Sequence, residues 1–169
     1  MISFNTLWDN FPDKEKLKSV CTNKQKAGNE PFDNYCAILL SECFIKSGID
    51  TNSLSGTKCW SHKGKKHILK AADFAKALND NLPPGFSKKQ KILPATFQST
   101  LNNKTGVIYF KDYWQRGKES FEARSGDHID LWNKDEITGQ GMIMRSIYEF
   151  FGVVSDLNNS KEIWFWEVK

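Results

Sequence analysis

Three common sequence features are missing from this chain, and each absence excludes a class of protein. No apolar run approaches the ~18 residues that a membrane-spanning helix needs, so we expect no membrane span. The N-terminus has no basic region followed by an apolar stretch, which predicts the absence of a cleaved signal peptide and synthesis in the cytoplasm. Internal repeats and low-complexity segments are also lacking, which leaves a globular chain without a repeat architecture.

Cysteine pairs of the CxxC type are absent as well. The 4 cysteines are Cys21, Cys36, Cys43 and Cys59, each well separated from the next. This spacing is not typical of a zinc site or a thioredoxin-like motif, so we expect no metal ion and no cofactor. Cys21, Cys43 and Cys59 are either three reduced core thiols or the source of one disulfide, and the spacing leaves both open.

What the chain does contain is a composition suited to one well-packed domain. It has 169 residues, of which 39% are hydrophobic and 13% aromatic, and we expect a single domain over residues 1–169. The net charge of +4 comes with short lysine clusters at 63–66 and 88–91. Acidic residues are mixed with the basic ones throughout, so we interpret these clusters as solvated surface and expect no nucleic-acid partner.

The hydrophobic pattern changes from helical to strand-like along the chain. Apolar residues at helical spacing precede residue 105, and β-branched and aromatic runs follow it. Helices followed by an antiparallel sheet indicate the α+β class. The predicted helices are 4–11 behind a Ser3 cap, a short one after Pro12-Asp13, 35–47, 67–82 and 142–151; the predicted strands are 106–110, 126–133 and 162–168, and 22–31 is predicted to be a loop.

The most informative stretch is the helix that begins near Cys36. Asp33 or Asn34 suits its N-cap and Gly48 its C-terminal end. A thiol in the first turn faces unpaired backbone N–H groups and the positive end of the helix dipole, which favours a thiolate nucleophile. The alternative is that Cys36 is one more small core residue, because unpaired cysteines are often buried.

A histidine on a later strand completes this pattern. His128 and Asp130 alternate with apolar neighbours, so their side chains project from one face. A nucleophilic cysteine early in the chain and a histidine on a late strand form the layout of a papain-like hydrolase, in which the histidine accepts the thiol proton. His62 and His67 lie in or beside a lysine-rich loop, and we expect both at the surface.

Four blocks of the sequence together resemble a known family. They are the N-terminal FNTLWDNFP, the NYCAILLS around Cys36, the KTGVIYF of residues 104–110, and Trp114 followed by the DHIDLWN of residues 127–133. In this order they resemble the type VI secretion amidase effectors, family 4. The Cys36 block is similar to the family's Asn-x-Cys-Ala-Ile-Arg-x-Ser motif, except that Leu39 stands in place of the arginine.

The resemblance implies a fold and a function. The fold is papain-like and of the NlpC type, with N-terminal helices and the nucleophile helix packed on an antiparallel sheet. The activity is that of a cysteine amidase that cleaves peptidoglycan stem peptides between D-glutamate and meso-diaminopimelate. Such proteins are delivered by type VI secretion into the periplasm of rival bacteria, and a cognate immunity protein protects the producer.

It also implies the residues of the site. Cys36 and His128 are the catalytic pair, and Asn34, Tyr35, Trp114 and Trp132 are the residues assigned to substrate binding. The third catalytic residue stays open, because the family's disulfide-braced loop is replaced here by residues 134–140, which contain no cysteine. By position we rank Asp130 and Asp135 nearly level, with Asn133 third.

Two other functions remain open on sequence grounds. One is a catalytically idle papain-like module that binds cell-wall peptide or a partner protein. The other is a thiol acyltransferase or deamidase. Intact Cys36 and His128 favour an enzyme over the idle module.

Overall fold

The computed structural model describes residues 1–23, 30–138 and 157–169, and its internal contacts divide the chain into two units. The first unit, Met1–Gly85, carries most of the helices, and the second, Phe86–Lys169, carries the main sheet. The α+β class predicted from the sequence is therefore confirmed. Among the described residues, no helix combines the length and apolarity required to cross a membrane.

The helical unit begins with two short capped helices. Ser3 Oγ accepts a hydrogen bond from the Thr6 backbone N–H at 3.2 Å, and Asp13 Oδ1 accepts one from the Glu15 N–H at 3.0 Å. The first contact confirms the predicted Ser3 cap, and the second is an N-cap contact of the same kind. The elements of the unit are α1 (Phe4–Asp9), α2 (Lys14–Lys18), β1 (Thr22–Asn23), β2 (Glu30–Pro31), α3 (Cys36–Lys46), a 3₁₀ turn (Thr51–Ser53) and α4 (Ala71–Asp80).

Helix α3 is the most deeply buried element of this unit. It is apolar around most of its circumference, and seven of its residues are buried. Gly48 follows it with φ of +84°, a left-handed conformation that suits glycine at a helix end. Tyr35 is the N-cap position, so the helix starts one residue later than predicted.

Two other predictions for this unit need correction. Helix α4 is shorter than the predicted 67–82, since His67 and its neighbours lie in an irregular segment before it. The predicted loop at 22–31 contains the antiparallel pair β1–β2, in which Thr22 is opposite Pro31. The pair is only two residues long in each strand, and its polar sequence lacks the β-branched pattern by which strands are recognised.

The sheet unit is built on five antiparallel strands in the order β3-β7-β4-β5-β6. In the long antiparallel pair of β4 and β5, Phe110 lies opposite His128 and Ile108 lies opposite Asp130. Gly106 is required where β4 meets β7, because a Cβ there would collide with the Trp166 carbonyl oxygen. The elements are β3 (Gln90–Ile92), a 3₁₀ turn (Pro94–Thr96), α5 (Phe97–Thr100), β4 (Lys104–Trp114), β5 (Gly126–Lys134), β6 (Glu136–Ile137), a 3₁₀ turn (Leu157–Asn159) and β7 (Glu162–Glu167).

An aromatic core covers the β4–β5 pair and positions the histidine. Phe97 packs edge-on against Phe110 with ring centroids 5.4 Å apart, and Phe110 stacks on His128 with centroids 6.3 Å apart. The predicted strands at 106–110, 126–133 and 162–168 are confirmed, the first being longer than expected. The predicted helix at 142–151 lies outside the described residues.

Candidate active site

Cys36 is the first residue of α3, and its side chain is partly exposed. Its backbone N–H donates a hydrogen bond to Asn34 Oδ1 at 2.9 Å. Asn34 therefore supports the first turn of α3, as a side-chain oxygen does at a helix N-terminus. This contact also means that the Cys36 N–H already has an acceptor.

Tyr35, which the sequence assigned to substrate binding, is packed inside the helical unit. It is 2% exposed, and its hydroxyl donates to the Cys21 carbonyl oxygen at 2.6 Å. Lys14 lies over its ring, with Nζ 5.9 Å from the centroid. Burial is the main cause that lowers the pKa of Lys14. The contacts of Tyr35 favour a packing role.

His128 and Asp130 form a buried pair on β5. The side chains are two residues apart on one face of the strand, as the alternation predicted, and His128 Nε2 lies 3.2 Å from Asp130 Oδ2. The residues are 2% and 1% exposed. A carboxylate on one ring nitrogen fixes the tautomer and orientation of an imidazole and stabilises its protonated form.

Asp130 is held by two further hydrogen bonds. Its Oδ1 accepts from the Leu131 backbone N–H at 2.8 Å and from the Thr138 hydroxyl. Burial raises the pKa of Asp130, and the hydrogen bond from His128 acts in the opposite direction. Thr138 was not predicted, since a hydroxyl eight residues after the carboxylate carries no sequence signal.

The other predicted third residues lie elsewhere. Asp135 is exposed in the turn between β5 and β6, where its backbone N–H donates to the Asn133 carbonyl oxygen at 2.7 Å. The sequence ranked Asp135 level with Asp130. The structure brings Asp130 into contact with the histidine.

The two tryptophans assigned to substrate binding differ in environment. Trp132 is 3% exposed, and its Nε1–H donates to the Leu101 carbonyl oxygen at 3.0 Å, so it belongs to the core of the sheet unit. Trp114 is partly buried and packs directly on Gly126, where a Cβ would collide with the indole ring. Trp114 is therefore the more solvent-accessible of the two tryptophans, and the one that a ligand could contact.

The expectation of two surface histidines is wrong for His67. It is 2% exposed, and its Nε2 lies 2.9 Å from Glu42 Oε2 on α3. His62 is partly buried beside it, with ring centroids 4.8 Å apart. The lysines around both histidines suggested a solvated loop, but nothing local in the sequence showed that Glu42, 25 residues earlier, is a partner.

The sequence matches the profile of a known protein family. The sequence profile described as "Type VI secretion system (T6SS), amidase effector protein 4", or Tae4, matches residues 32–166, which is most of the chain. The chain belongs to the Tae4 family. The predicted family and the predicted enzyme class are therefore confirmed, and the chain is an amidase effector of the peptidoglycan-hydrolase class.

Solved structures of Tae4 proteins share its fold. The effector in the Tae4/Tai4 effector–immunity system of Salmonella typhimurium matches with a TM-score of 0.66 at 20% identity, covering 100% of this chain and 99% of that one. Tae4 from Enterobacter cloacae matches with a TM-score of 0.64 at 19% identity, covering 100% and 98%. At this identity the likeness concerns the fold, and it supports the papain-like class. No curated protein sequence matches the chain.

Proposed function

We propose that this Tae4-family chain is a cysteine amidase of the NlpC type that cleaves the peptidoglycan stem between D-glutamate and meso-diaminopimelate. A single catalytic domain over residues 1–169 supplies Cys36 as nucleophile and His128 as base. The observation that carries the proposal is the buried hydrogen bond from His128 to Asp130, inside the stretch that matches the family profile. An oriented imidazole of this kind is what a thiol nucleophile needs.

The proposed reaction has two steps. Because Nε2 of His128 is bonded to Asp130, we assign Nδ1 to the proton of the Cys36 thiol. The thiolate attacks the carbonyl carbon of D-glutamate, and the imidazolium donates its proton to the leaving amine of diaminopimelate, which leaves a thioester on Cys36. His128 then takes a proton from water, the hydroxide attacks the thioester, and the thiol is restored.

Two features of the described residues support these roles. Asp130 accepts three hydrogen bonds, so the carboxylate is fixed and can stabilise the imidazolium. Asn34 Oδ1 accepts a hydrogen bond from the Cys36 N–H and so stabilises the first turn of α3. Since that N–H is engaged, we assign the oxyanion to the remaining N–H groups of the first turn of α3.

Membership of the family supports a proposal about where the reaction takes place. We propose that the effector acts in the periplasm of the target cell, where its substrate lies. We also propose that a cognate immunity protein binds it, because the Salmonella typhimurium and Enterobacter cloacae relatives are described as Tae4–Tai4 effector–immunity complexes.

Mass analysis of muropeptides tests the bond that is cut. Purified tetrapeptide muropeptides incubated with the protein should yield a disaccharide with L-Ala-D-Glu and a separate peptide with a new amine on diaminopimelate. A product cut at another amide bond would overturn the proposed cleavage site, but the protein would still be an amidase. Amine exchange or deamidation without chain cleavage would support the acyltransferase or deamidase instead.

A further inference from the structure

Four potential metal ligands meet in the helical unit, and the proposed reaction uses none of them. The ligand atoms of Cys21, which follows α2, and of His62 and His67, from the irregular segment before α4, all lie within 4.8 Å of one another. Cys59 Sγ, from the same segment, joins this group through its contact with Cys21 Sγ. From Cys21 Sγ the distances are 2.9 Å to Cys59 Sγ, 3.0 Å to His67 Nδ1 and 3.4 Å to His62 Nε2. We propose that these four side chains bind one zinc ion.

Both imidazoles are held in the orientation of metal ligands. His67 faces Cys21 with Nδ1, while its Nε2 lies 2.9 Å from the Glu42 carboxylate. His62 faces Cys21 with Nε2, while its Nδ1 lies 3.1 Å from the Lys63 carbonyl oxygen. In zinc sites the second ring nitrogen of a histidine ligand almost always donates to a carboxylate or a carbonyl, which fixes the tautomer. Here each histidine has such a partner.

Counting protons points to a cation at the centre of the cluster. If each ring donates to its outer oxygen, the nitrogen that faces Cys21 carries a lone pair. Cys59 has an S–H of its own, but Cys21 has only one S–H for the two ring nitrogens that face it, so one nitrogen lone pair is left without a proton. Lone pairs that converge in a buried place without enough protons are unfavourable unless a cation binds them.

The ligand types and their burial suit zinc. Two thiolates with two imidazoles are a standard tetrahedral set for structural Zn²⁺. Bond lengths of about 2.3 Å to sulfur and about 2.0 Å to nitrogen place the two sulfurs about 3.8 Å apart, so the Sγ atoms separate by about 0.9 Å on binding. Cys21 is 0%, Cys59 1% and His67 2% exposed, which is typical of a closed structural site and leaves no path for a substrate carbonyl.

The site connects the segments around the nucleophile helix. The Cys21 carbonyl oxygen accepts the hydroxyl of Tyr35, the residue before Cys36, and Glu42 lies in α3 itself. A zinc ion here stabilises the entry to α3 without contacting substrate. Loss of the zinc ion should therefore lower the thermal stability of the protein and leave its substrate affinity nearly unchanged.

Metal analysis of the full-length protein tests the proposal. Protein prepared under reducing conditions without a histidine tag should contain one zinc per chain by plasma mass spectrometry. Replacing zinc with Co²⁺ should give the visible bands of tetrahedral cobalt and a thiolate-to-cobalt charge-transfer band. Both cobalt signals should disappear in Cys59→Ser and persist in Cys43→Ser. Cys43 is buried but is not one of the four proposed ligands, and its thiol donates to the Leu7 carbonyl oxygen.

A second variant keeps the test informative if Cys59→Ser does not fold. Glu42→Gln retains all four ligands and removes the carboxylate behind His67, so zinc affinity should fall about 10–100-fold. Reduced, folded protein that takes up neither zinc nor Co²⁺ would overturn the proposal. So would a peptide map in which Cys21 and Cys59 of the reduced protein become joined by a disulfide in air equally fast with and without excess zinc, because bound zinc should protect both thiols.

Discussion

His128 Nε2 lies 3.2 Å from Asp130 Oδ2 in the interior of the sheet unit, and the two residues share one face of β5. The carboxylate cannot leave this position easily, because the Leu131 N–H and the Thr138 hydroxyl bind its other oxygen. The orientation of His128, the proposed base, is therefore fixed mainly by a residue of its own strand. It supports the proposal that Asp130 is the third member of the site.

The first prediction compares the two aspartates that the sequence ranked level. Asp130→Asn should lower the turnover of muropeptide cleavage by about 10²–10⁴-fold, because an amide in place of the carboxylate favours the wrong tautomer and does not stabilise the imidazolium. Asp135→Asn changes an exposed turn residue and should leave turnover near that of the wild type. Thermal unfolding of each variant is the control for folding. The opposite order of effects would assign the role to Asp135.

The second prediction concerns the start of α3. Asn34→Ala removes the acceptor of the Cys36 N–H and should cost about 1 kcal/mol of unfolding free energy, as the loss of a side-chain capping contact does. Turnover should fall as well, since the first turn carries the nucleophile. Asn34→Asp keeps a side-chain oxygen at this position and serves as the matched control. Equal stability of the Ala and Asp variants in urea denaturation would show that the contact is unimportant.

The third prediction tests the close approach of Trp114 to β5. Gly126→Ala places a Cβ inside the volume of the indole ring, so the ring must move, and overpacking of this kind costs about 1–3 kcal/mol. In a Trp114→Ala background the same change should cost much less, because the colliding ring is gone. Urea denaturation of the four proteins of this cycle gives the coupling energy. Additive costs would contradict the contact.

The fourth prediction follows from Asp127, which is partly buried and accepts the Asp112 backbone N–H at 2.9 Å. Burial is the main cause that raises the pKa of Asp127 above its usual value. The folded state therefore binds this proton more tightly than the unfolded state, and the charge opposes folding at higher pH. As pH rises from the unfolded pKa of about 3.9 through the folded pKa, the wild type should lose stability relative to Asp127→Asn.

Chemical denaturation of both proteins measures this difference. It should cover about pH 3 to 7, the range in which carboxylates titrate. The advantage of Asp127→Asn should grow with pH and then become constant. Asp127→Ala also loses the bond to Asp112 and should be the less stable variant at all pH values. A stability difference that shrinks as pH rises would contradict the burial of this carboxyl.

Much of the fold could be predicted because its signals are local. The Ser3 cap, the apolar run of α3 and the alternation of β5 each lie within one element. The β1–β2 pair was missed because two residues per strand are too few to show a periodic pattern. Alternation along β5 placed His128 and Asp130 on one face, but it did not separate Asp130 from Asp135 as the third residue. The contact depends on how the ring and the carboxylate are oriented, which backbone spacing does not show.

The remaining errors concern contacts between distant segments. His67 was expected at the surface from its lysine-rich neighbours, but its partners are Glu42 and Cys21. Thr138 and Trp132 were likewise placed by tertiary packing rather than by local pattern. No spacing rule brings such residues together until the chain is folded.

The measurement that tests the central claim most directly is the rate of muropeptide cleavage by Cys36→Ala beside the wild type and Cys43→Ser. Cys43 is a buried cysteine of the same helix, and a serine there can still donate to the Leu7 carbonyl oxygen. We expect Cys36→Ala to fold normally and to lose about 10⁶-fold in turnover, as nucleophile removal does in a serine hydrolase. Cys43→Ser should cleave at close to the wild-type rate. Wild-type cleavage by folded Cys36→Ala would contradict the account.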